Sequence, residues 1–114
     1  NRSRISRESN MENMERGGVV KLYLVHCGYY DSEVCDGIYE NHINLFVVAA
    51  TSEEARLKAK QDNLFKEKRM HVDGIQEIVA VQGHKIMLQE VPSLNSETLI
   101  VSSRHRDLAP PRSI

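Results

Sequence analysis

The sequence predicts an α+β domain in which a four-stranded, mainly antiparallel sheet carries one long helix on one face. Three features predict this class: two apolar strand-like runs, a charged helical segment with a clear start signal, and a hairpin pattern. They follow one another in the order strand, strand, helix, strand, strand, which is typical of α+β rather than parallel α/β folds. The domain is expected to span residues 19–91.

The first two predicted strands are residues 19–27 and 42–50. Both are rich in β-branched and aromatic side chains, which favour extended backbone. Gly28 is expected to end the first strand. The intervening segment, 29–39, is predicted to be an acidic loop.

The helix is predicted to begin after Thr51 and to run to about Phe65 or Arg69. Thr51 can accept a hydrogen bond from the amide of Glu54, and the Glu54 side chain can reach back, which is the capping-box pattern. At about 100° per residue, four side chains share the face expected to pack on the sheet: Leu57, Gln61, Leu64 and Phe65.

The last two predicted strands form a hairpin, residues 75–81 and 84–88, which turns at Gln82-Gly83. Glycine accepts the positive φ that tight hairpin turns require. Outside the domain, residues 1–18 are predicted to be a polar N-terminal tail. Residues 92–114 are predicted to be a C-terminal tail with one short β-like patch at 98–101.

Several bulk features limit the location and the partners. The apolar runs are much shorter than the roughly 18 residues that a membrane span needs, and the polar N-terminus shows no secretory signal. Two cysteines are too few for a disulfide framework. A cytoplasmic location is therefore expected, with no membrane partner.

Charge is segregated along the chain, although the net charge is only −1. Residues 22–55 contain no Lys or Arg, whereas residues 56–69 contain six. This pattern indicates either an acidic loop beside a solvated helix face or complementary patches that meet in an oligomer or bind a charged partner. Nucleic acid is an unlikely partner, because the predicted strands lack the aromatic stacking platforms of sheet-based RNA binders.

Both faces of the predicted sheet contain apolar side chains. In the second strand, Leu45 and Val47 oppose Phe46 and Val48. One amphipathic helix covers only one face, so the other needs a tail, a tandem copy of the domain or a second subunit. A homodimer is the preferred prediction.

Three stretches resemble a bacterial family known as domain of unknown function 1543. They are the strand around Leu22 to Gly28, the segment 42–48 with the helix start that follows it, and residues 71–86. The resemblance covers roughly residues 20–90, and it implies one or two copies of this unit per protein. It brings no assigned catalytic residues. The chain departs from the family where the helix ends, because the usual aromatic-glycine pair is missing there.

Metal and nucleophile chemistry find little support in the sequence. His26, Cys27, Cys35 and His42 are suitable ligand types for Zn²⁺, but neighbours in a strand such as His26 and Cys27 point to opposite faces. Cys35 lies among acidic residues that disfavour a thiolate. No metal, cofactor or catalytic residue is therefore assigned.

Two pairs of residues remain as candidates, His42 with Glu40 and His71 with Asp73, because residues two apart in a strand share a face. The tyrosines of the 29–39 segment suit contact with a protein or a small molecule. The predicted function is a non-enzymatic binding or protein-interaction module that self-associates. The alternative is a small-ligand-binding protein or enzyme that uses His42, His71 and the 29–39 loop. The candidate ligand-binding residues are Tyr29, Tyr30, Tyr39, His42, His71 and Asp73.

Overall fold

A computed structural model describes residues 19–108 of the chain. Strands β1 (Lys21–Tyr30), β2 (Glu40–Ala49) and β3 (His71–Glu77) form one antiparallel sheet in the order β2-β1-β3. Helices α1 (Ser52–Lys60) and α2 (Asn63–Lys68) connect β2 to β3. Strands β4 (Ala80–Val81) and β5 (His84–Lys85) form a separate small hairpin. The predicted α+β class is confirmed.

The prediction of one four-stranded sheet is wrong. The segment 75–81 was expected to be a single strand, but its two halves pair with different partners. Ile75 pairs with Val25 of β1, whereas Ala80 pairs with Lys85 of β5. Local alternation of apolar residues predicts an extended chain but does not determine which strand it pairs with. The predicted turn is confirmed, because Gln82 and Gly83 both have positive φ, 51° and 83°.

The third strand of the sheet begins earlier than predicted, at His71. Its first residues include Asp73 and Gly74, two types that are depleted in strands and that hid this pairing from sequence reasoning. The patch predicted at 98–101 is not a strand in the described part of the chain, where regular structure after β5 consists of the 3-10 turns Pro92–Leu94 and His105–Leu108. The predicted tail 1–18 lies outside the described residues.

The single long helix is also wrong, because the chain forms two helices. Asp62 takes an extended conformation, and its Oδ1 accepts a hydrogen bond from the Leu64 amide at 2.9 Å, so it caps the start of α2. The predicted start of α1 is confirmed: Thr51 Oγ1 accepts from the Glu54 amide at 3.1 Å, and Glu54 Oε1 accepts from the Ala50 amide at 2.8 Å.

The second helix ends at Arg69, which has the left-handed φ of 53°. Glycine usually occupies this C-terminal position because it has no Cβ to strain there. Arg69 therefore takes the left-handed position that glycine most often fills at the end of a helix.

The hydrophobic core lies between the helices and one face of the sheet. Tyr23, Val25 and Cys27 of β1 are buried there beneath Ala55 and Ala59 of α1. The predicted helix face was mostly wrong, because Leu57 and Leu64 are exposed and only Phe65 is buried. Alanines four residues apart let the helix backbone approach the sheet closely, so the small side chains face inward instead of the leucines.

The first two strands are longer at the loop end than predicted. β1 continues through Gly28 to Tyr30, and β2 already starts at Glu40, so Tyr30 pairs with Glu40 and Gly28 pairs with His42. This extension is what brings polar side chains from the predicted loop onto the sheet.

The sheet face away from the helices, called the open face below, has two unlike halves. Its polar half carries histidines and acids near the loop end of β1. Its apolar half carries Leu22, Leu24, Phe46 and Val48, with Phe46 52% and Val48 42% exposed. The prediction of a second apolar face therefore holds for one half of the face. Beside it, a shallow apolar hollow is lined by residues such as Leu22, Ile78 and Ile86.

Candidate ligand-binding site

Gly28 is the centre of the polar half. It lies in the middle strand between His42 of β2 and His71 of β3. A Cβ at this position would collide with Glu40 Oε2 and would lie 2.7 Å from His71 Nε2 and 2.8 Å from Asp73 Oδ2. Glycine leaves the space above its backbone to polar side chains from both neighbouring strands, and a larger residue would push their flexible ends aside.

A β-bulge aims Asp73 at this space. Val72 pairs with Cys27 and Gly74 pairs with His26, so Asp73 is an extra residue without a partner in β1. Bulges bend a strand locally and redirect a side chain, and they are common beside functional sites. As a result Asp73 stands between two imidazoles: its Oδ2 lies 3.2 Å from His42 Nε2, and its Oδ1 lies 3.2 Å from His71 Nε2.

Glu40 links the same two histidines from the other strand. His71 Nε2 donates a hydrogen bond to Glu40 Oε2 at 2.6 Å, and His42 Nε2 lies 3.5 Å from the same oxygen. The ring of Tyr30 lies 6.3 Å from the His71 ring, at the loop edge of the group.

His26 completes the group from β1. Its ring stacks on that of His42, with centroids 4.7 Å apart and planes within 8° of parallel. Its Nδ1 lies 2.7 Å from Asn44 Oδ1. A carbonyl oxygen only accepts, so Nδ1 carries a proton, and in the neutral ring the lone pair is then on Nε2. The residues His26, Glu40, His42, His71 and Asp73 are called the histidine–carboxylate cluster below.

The cluster is accessible to water. The side chains of Glu40, His42, His71 and Asp73 are between 29% and 45% exposed. Two carboxylates are close to three imidazoles, so the cluster can exchange protons or accept a cation at several nitrogen and oxygen atoms. It can therefore bind either a cation or a small polar molecule.

The two cysteines are separate from this cluster. Cys27 is fully buried on the opposite sheet face, as the alternation of side chains predicted. Burial raises the pKa of the Cys27 thiol, and the nearby charges of Asp73 and Asp62 raise it further. Cys35 lies exposed in the 3-10 turn Cys35–Gly37. The set His26, Cys27, Cys35 and His42 does not converge, although its two histidines do.

The structure brings together His42, His71 and Asp73 from the predicted site residues, with Tyr30 beside them. Tyr29 alternates to the helix side, where Lys68 Nζ lies 5.6 Å from its ring centroid. Tyr39 is exposed in the loop, outside the cluster.

The sequence did not indicate Gly28 or Asn44 as site residues. It indicated Glu40 only as a partner of His42, and His26 only as one of four ligand types for Zn²⁺. The pairing of β1 with β2 was the missing information, because it sets Gly28 beside His42 and His26 beside Asn44.

Fold and cluster together define a small α+β domain with a polar site on the open face of an antiparallel sheet. Residues 38–88, a little under half of the chain, match the family model described as Domain of Unknown Function (DUF1543). The predicted family is therefore confirmed for this segment, which runs from the end of the loop through the hairpin and leaves β1 outside. No curated protein and no solved structure matches the chain. In the described range 19–108, no helix is long and apolar enough to cross a membrane.

Proposed function

We propose that the protein is a non-enzymatic binding module whose ligand site is the histidine–carboxylate cluster. One observation carries the proposal: side chains from all three strands of the sheet converge above Gly28. The two histidines of the sequence-based alternative, His42 and His71, lie on the same face and contact the same carboxylates. The predicted 29–39 loop contributes Tyr30, which in the structure is the last residue of β1 and lies beside His71.

The cluster has features that work against sheet stability. A glycine inside a strand loses more conformational freedom on folding than other residues, and a bulge interrupts the ladder of hydrogen bonds. The core lies on the opposite face and does not need either feature. Departures from local folding rules without a packing benefit are expected at functional sites. This supports binding as the reason for the arrangement.

Binding is favoured over catalysis because the cluster is open to solvent. Electrostatic stabilisation of a reacting group is most effective where water is excluded. Four side chains of the cluster are instead 29–45% exposed, namely Glu40, His42, His71 and Asp73. Cys27 is next to Gly28 in the sequence, but its side chain is buried on the opposite face of the sheet, and the pKa of its thiol is raised. It therefore offers no thiolate to this site.

The proposal is tested by amide NMR of the full chain with a panel of a divalent metal, inorganic phosphate, citrate and a nucleotide. At least one probe should shift the amides of Gly28, His42 and His71 saturably. Gly28→Ala should abolish this shift, because its methyl group displaces Glu40 and Asp73. Gly74→Ala is the matched control, since a Cβ there meets nothing within 4 Å. A panel that leaves these amides unmoved would refute the proposal.

Self-association along β2 is a second candidate, favoured by a long edge strand of the sheet in which Lys58 Nζ bonds to the Val48 carbonyl oxygen near one end. β2 is an edge strand, and its register with all ten residues of β1 is unbroken. Residues 41–49 contain no Lys, Arg, Asp, Glu or Pro. Natural proteins usually protect long edge strands with charges, prolines or bulges, because bare edges pair with other chains.

A second copy of this chain is the occupant that fits the edge. Two β2 strands pairing antiparallel about a two-fold axis would place Glu40 of one copy near the Val48 end of the other. At that end Lys58 Nζ already lies 2.7 Å from the Val48 carbonyl oxygen, so the acidic end of one strand meets a base. The exposed Phe46 and Val48 of both copies would then form one continuous apolar surface.

Sedimentation velocity across a concentration series tests this second candidate. The wild type should form a dimer, and Phe46→Lys should shift it to monomer by placing like charges at the contact. Leu57→Lys, an exposed leucine on α1 that is 59% accessible, is the matched control and should remain dimeric. A wild type that stays monomeric at every concentration would eliminate this candidate.

A further inference from the structure

We propose that the histidine–carboxylate cluster binds one divalent transition-metal ion of the Zn²⁺ class, with His26, His42 and Asp73 as its protein ligands. This inference rests on the proposed function and names the ligand for that same site. Two imidazoles and one carboxylate make up the ligand set.

The spacing of the three ligands suits a small four-coordinate ion. One ligand atom from each of His26, His42 and Asp73 lies within 4.8 Å of the other two, and all three residues are exposed. Ligand atoms at 2.0–2.1 Å from a tetrahedral ion are roughly 3.3 Å apart. His42 Nε2 and Asp73 Oδ2 are already 3.2 Å apart. To close on the ion, the His26 ligand atom would approach the other two by roughly 1.5 Å at most, and its ring would tilt out of the parallel stack with His42, because an imidazole lone pair lies in the ring plane.

Asn44 prepares His26 to act as a ligand. Because Asn44 Oδ1 accepts the proton of His26 Nδ1, the unprotonated nitrogen is Nε2. Ligating histidines usually donate their other N–H to a neighbouring oxygen, which fixes both the tautomer and the ring.

His71 and Glu40 act as positioning residues, not ligands. Asp73 would give Oδ2 to the ion, while its Oδ1 lies 3.2 Å from His71 Nε2 as the weaker of the two contacts of that N–H. Glu40 in turn orients His71 through the 2.6 Å hydrogen bond, which uses the Nε2 proton. Glu40, His71 and Asp73 also lie within 4.8 Å of one another, but that group offers one imidazole where His26, His42 and Asp73 offer two, and imidazole is the ligand that suits this class of metal. The group with His26 and His42 is therefore the better site.

The ligand types select the class of metal. Imidazole nitrogen suits Zn²⁺, Co²⁺ and Ni²⁺, whereas Ca²⁺ and Mg²⁺ prefer sites made of oxygen atoms. Three protein ligands leave a coordination position for water or for a group from another molecule. On the open face that position is accessible, so the ion could connect this protein to a second ligand.

Isothermal titration of the full, tag-free chain with Zn²⁺, and separately with Mg²⁺, tests the inference. We expect one Zn²⁺ per chain and no measurable Mg²⁺ binding. His26→Ala, His42→Ala and Asp73→Asn should each weaken Zn²⁺ binding more than about 100-fold, beyond the 10–100-fold that is typical of positioning groups. Glu40→Gln should fall within that 10–100-fold range. His84→Ala is the matched control, because His84 lies in strand β5 of the small hairpin, outside the cluster, and it should bind as the wild type does.

Circular dichroism of each variant verifies that it is folded. We expect all of them to fold, because the substituted side chains are exposed. Zn²⁺ binding that survives both His26→Ala and His42→Ala would overturn the inference. If Zn²⁺ does not bind but another probe still shifts the amides around Gly28, the metal inference fails and the proposed function stands. If neither occurs, both fail.

Discussion

The two halves of the open sheet face share the same strands and the same alternation of side chains, yet they differ in chemistry. The polar half gathers charged and imidazole groups above a glycine and beside a bulge. The apolar half keeps a regular ladder and exposes Phe46 and Val48. The first half departs from sheet regularity and gathers imidazole and carboxylate groups. The second half exposes apolar side chains on a regular ladder.

Of the single substitutions in the polar half, Gly28→Ala is expected to lower the free energy of unfolding most. The added methyl group pushes aside the flexible ends of Glu40, His71 and Asp73, so we expect a loss at the low end of overpacking, about 1 kcal/mol of the free energy of unfolding. Urea denaturation measures this loss. Gly74→Ala should instead be neutral or stabilise by up to about 1 kcal/mol, because it removes freedom from the unfolded chain without a clash. Equal losses in both variants would show that Gly28 has no special role.

The apolar half should make thermal stability depend on protein concentration. If two copies associate through β2, the wild-type Tm rises with concentration by mass action. The Tm of Phe46→Lys should stay constant over the same range, while Leu57→Lys should follow the wild type. Differential scanning calorimetry at several concentrations measures this. A wild-type Tm that does not vary would mean that this half does not mediate association.

Replacing a cluster residue by a strand-forming apolar residue should leave stability unchanged or improve it. His42→Val is expected to change the free energy of unfolding by less than about 1 kcal/mol, because exposed ion pairs contribute little and valine favours strands. The same variant should lose binding at the cluster. Urea denaturation alongside the NMR titration separates the two effects. A loss of several kcal/mol would instead assign His42 a structural role.

The smallest effect is expected from Tyr23, which lies on the sheet face that packs against the helices. Burial raises the pKa of Tyr23, and the charges of Glu77 and Glu54 raise it further. A raised pKa means that stability is fully present below the ordinary tyrosine value of about 10 and is lost as pH rises through the folded value. Tyr23→Phe should remove this part of the alkaline loss. The difference between the tyrosinate absorbance titrations of the wild type and Tyr23→Phe should show one transition above the ordinary value of about 10. A difference transition at or below that value would contradict this.

Much of the fold could be predicted because its signals are local. The Thr51 cap, the Gln82-Gly83 turn and the opposite orientations of His26 and Cys27 each depend on a few neighbouring residues, and all were confirmed. The break at Asp62 was missed because an acid at that position also suits a continuing helix. The side chain decided the outcome by capping the next helix.

The site could be predicted only in part because it depends on pairing between distant segments. His42, His71 and Asp73 were chosen from spacing within their own strands. Their convergence depends on the bulge, which shifts the register of β3 by one residue and turns Asp73 toward His42. A single sequence contains no signal for a register that is set by contacts more than forty residues apart.

The most direct test of the central claim is a long-range ¹H–¹⁵N spectrum of the histidine rings of the full chain, recorded before and after one equivalent of Zn²⁺. The proposed site predicts that Nε2 of His26 and His42 shift on metal addition while His26 Nδ1 stays protonated and His84 is unchanged. Unchanged His26 and His42 resonances, or a shift of His84 equal to theirs, would contradict it.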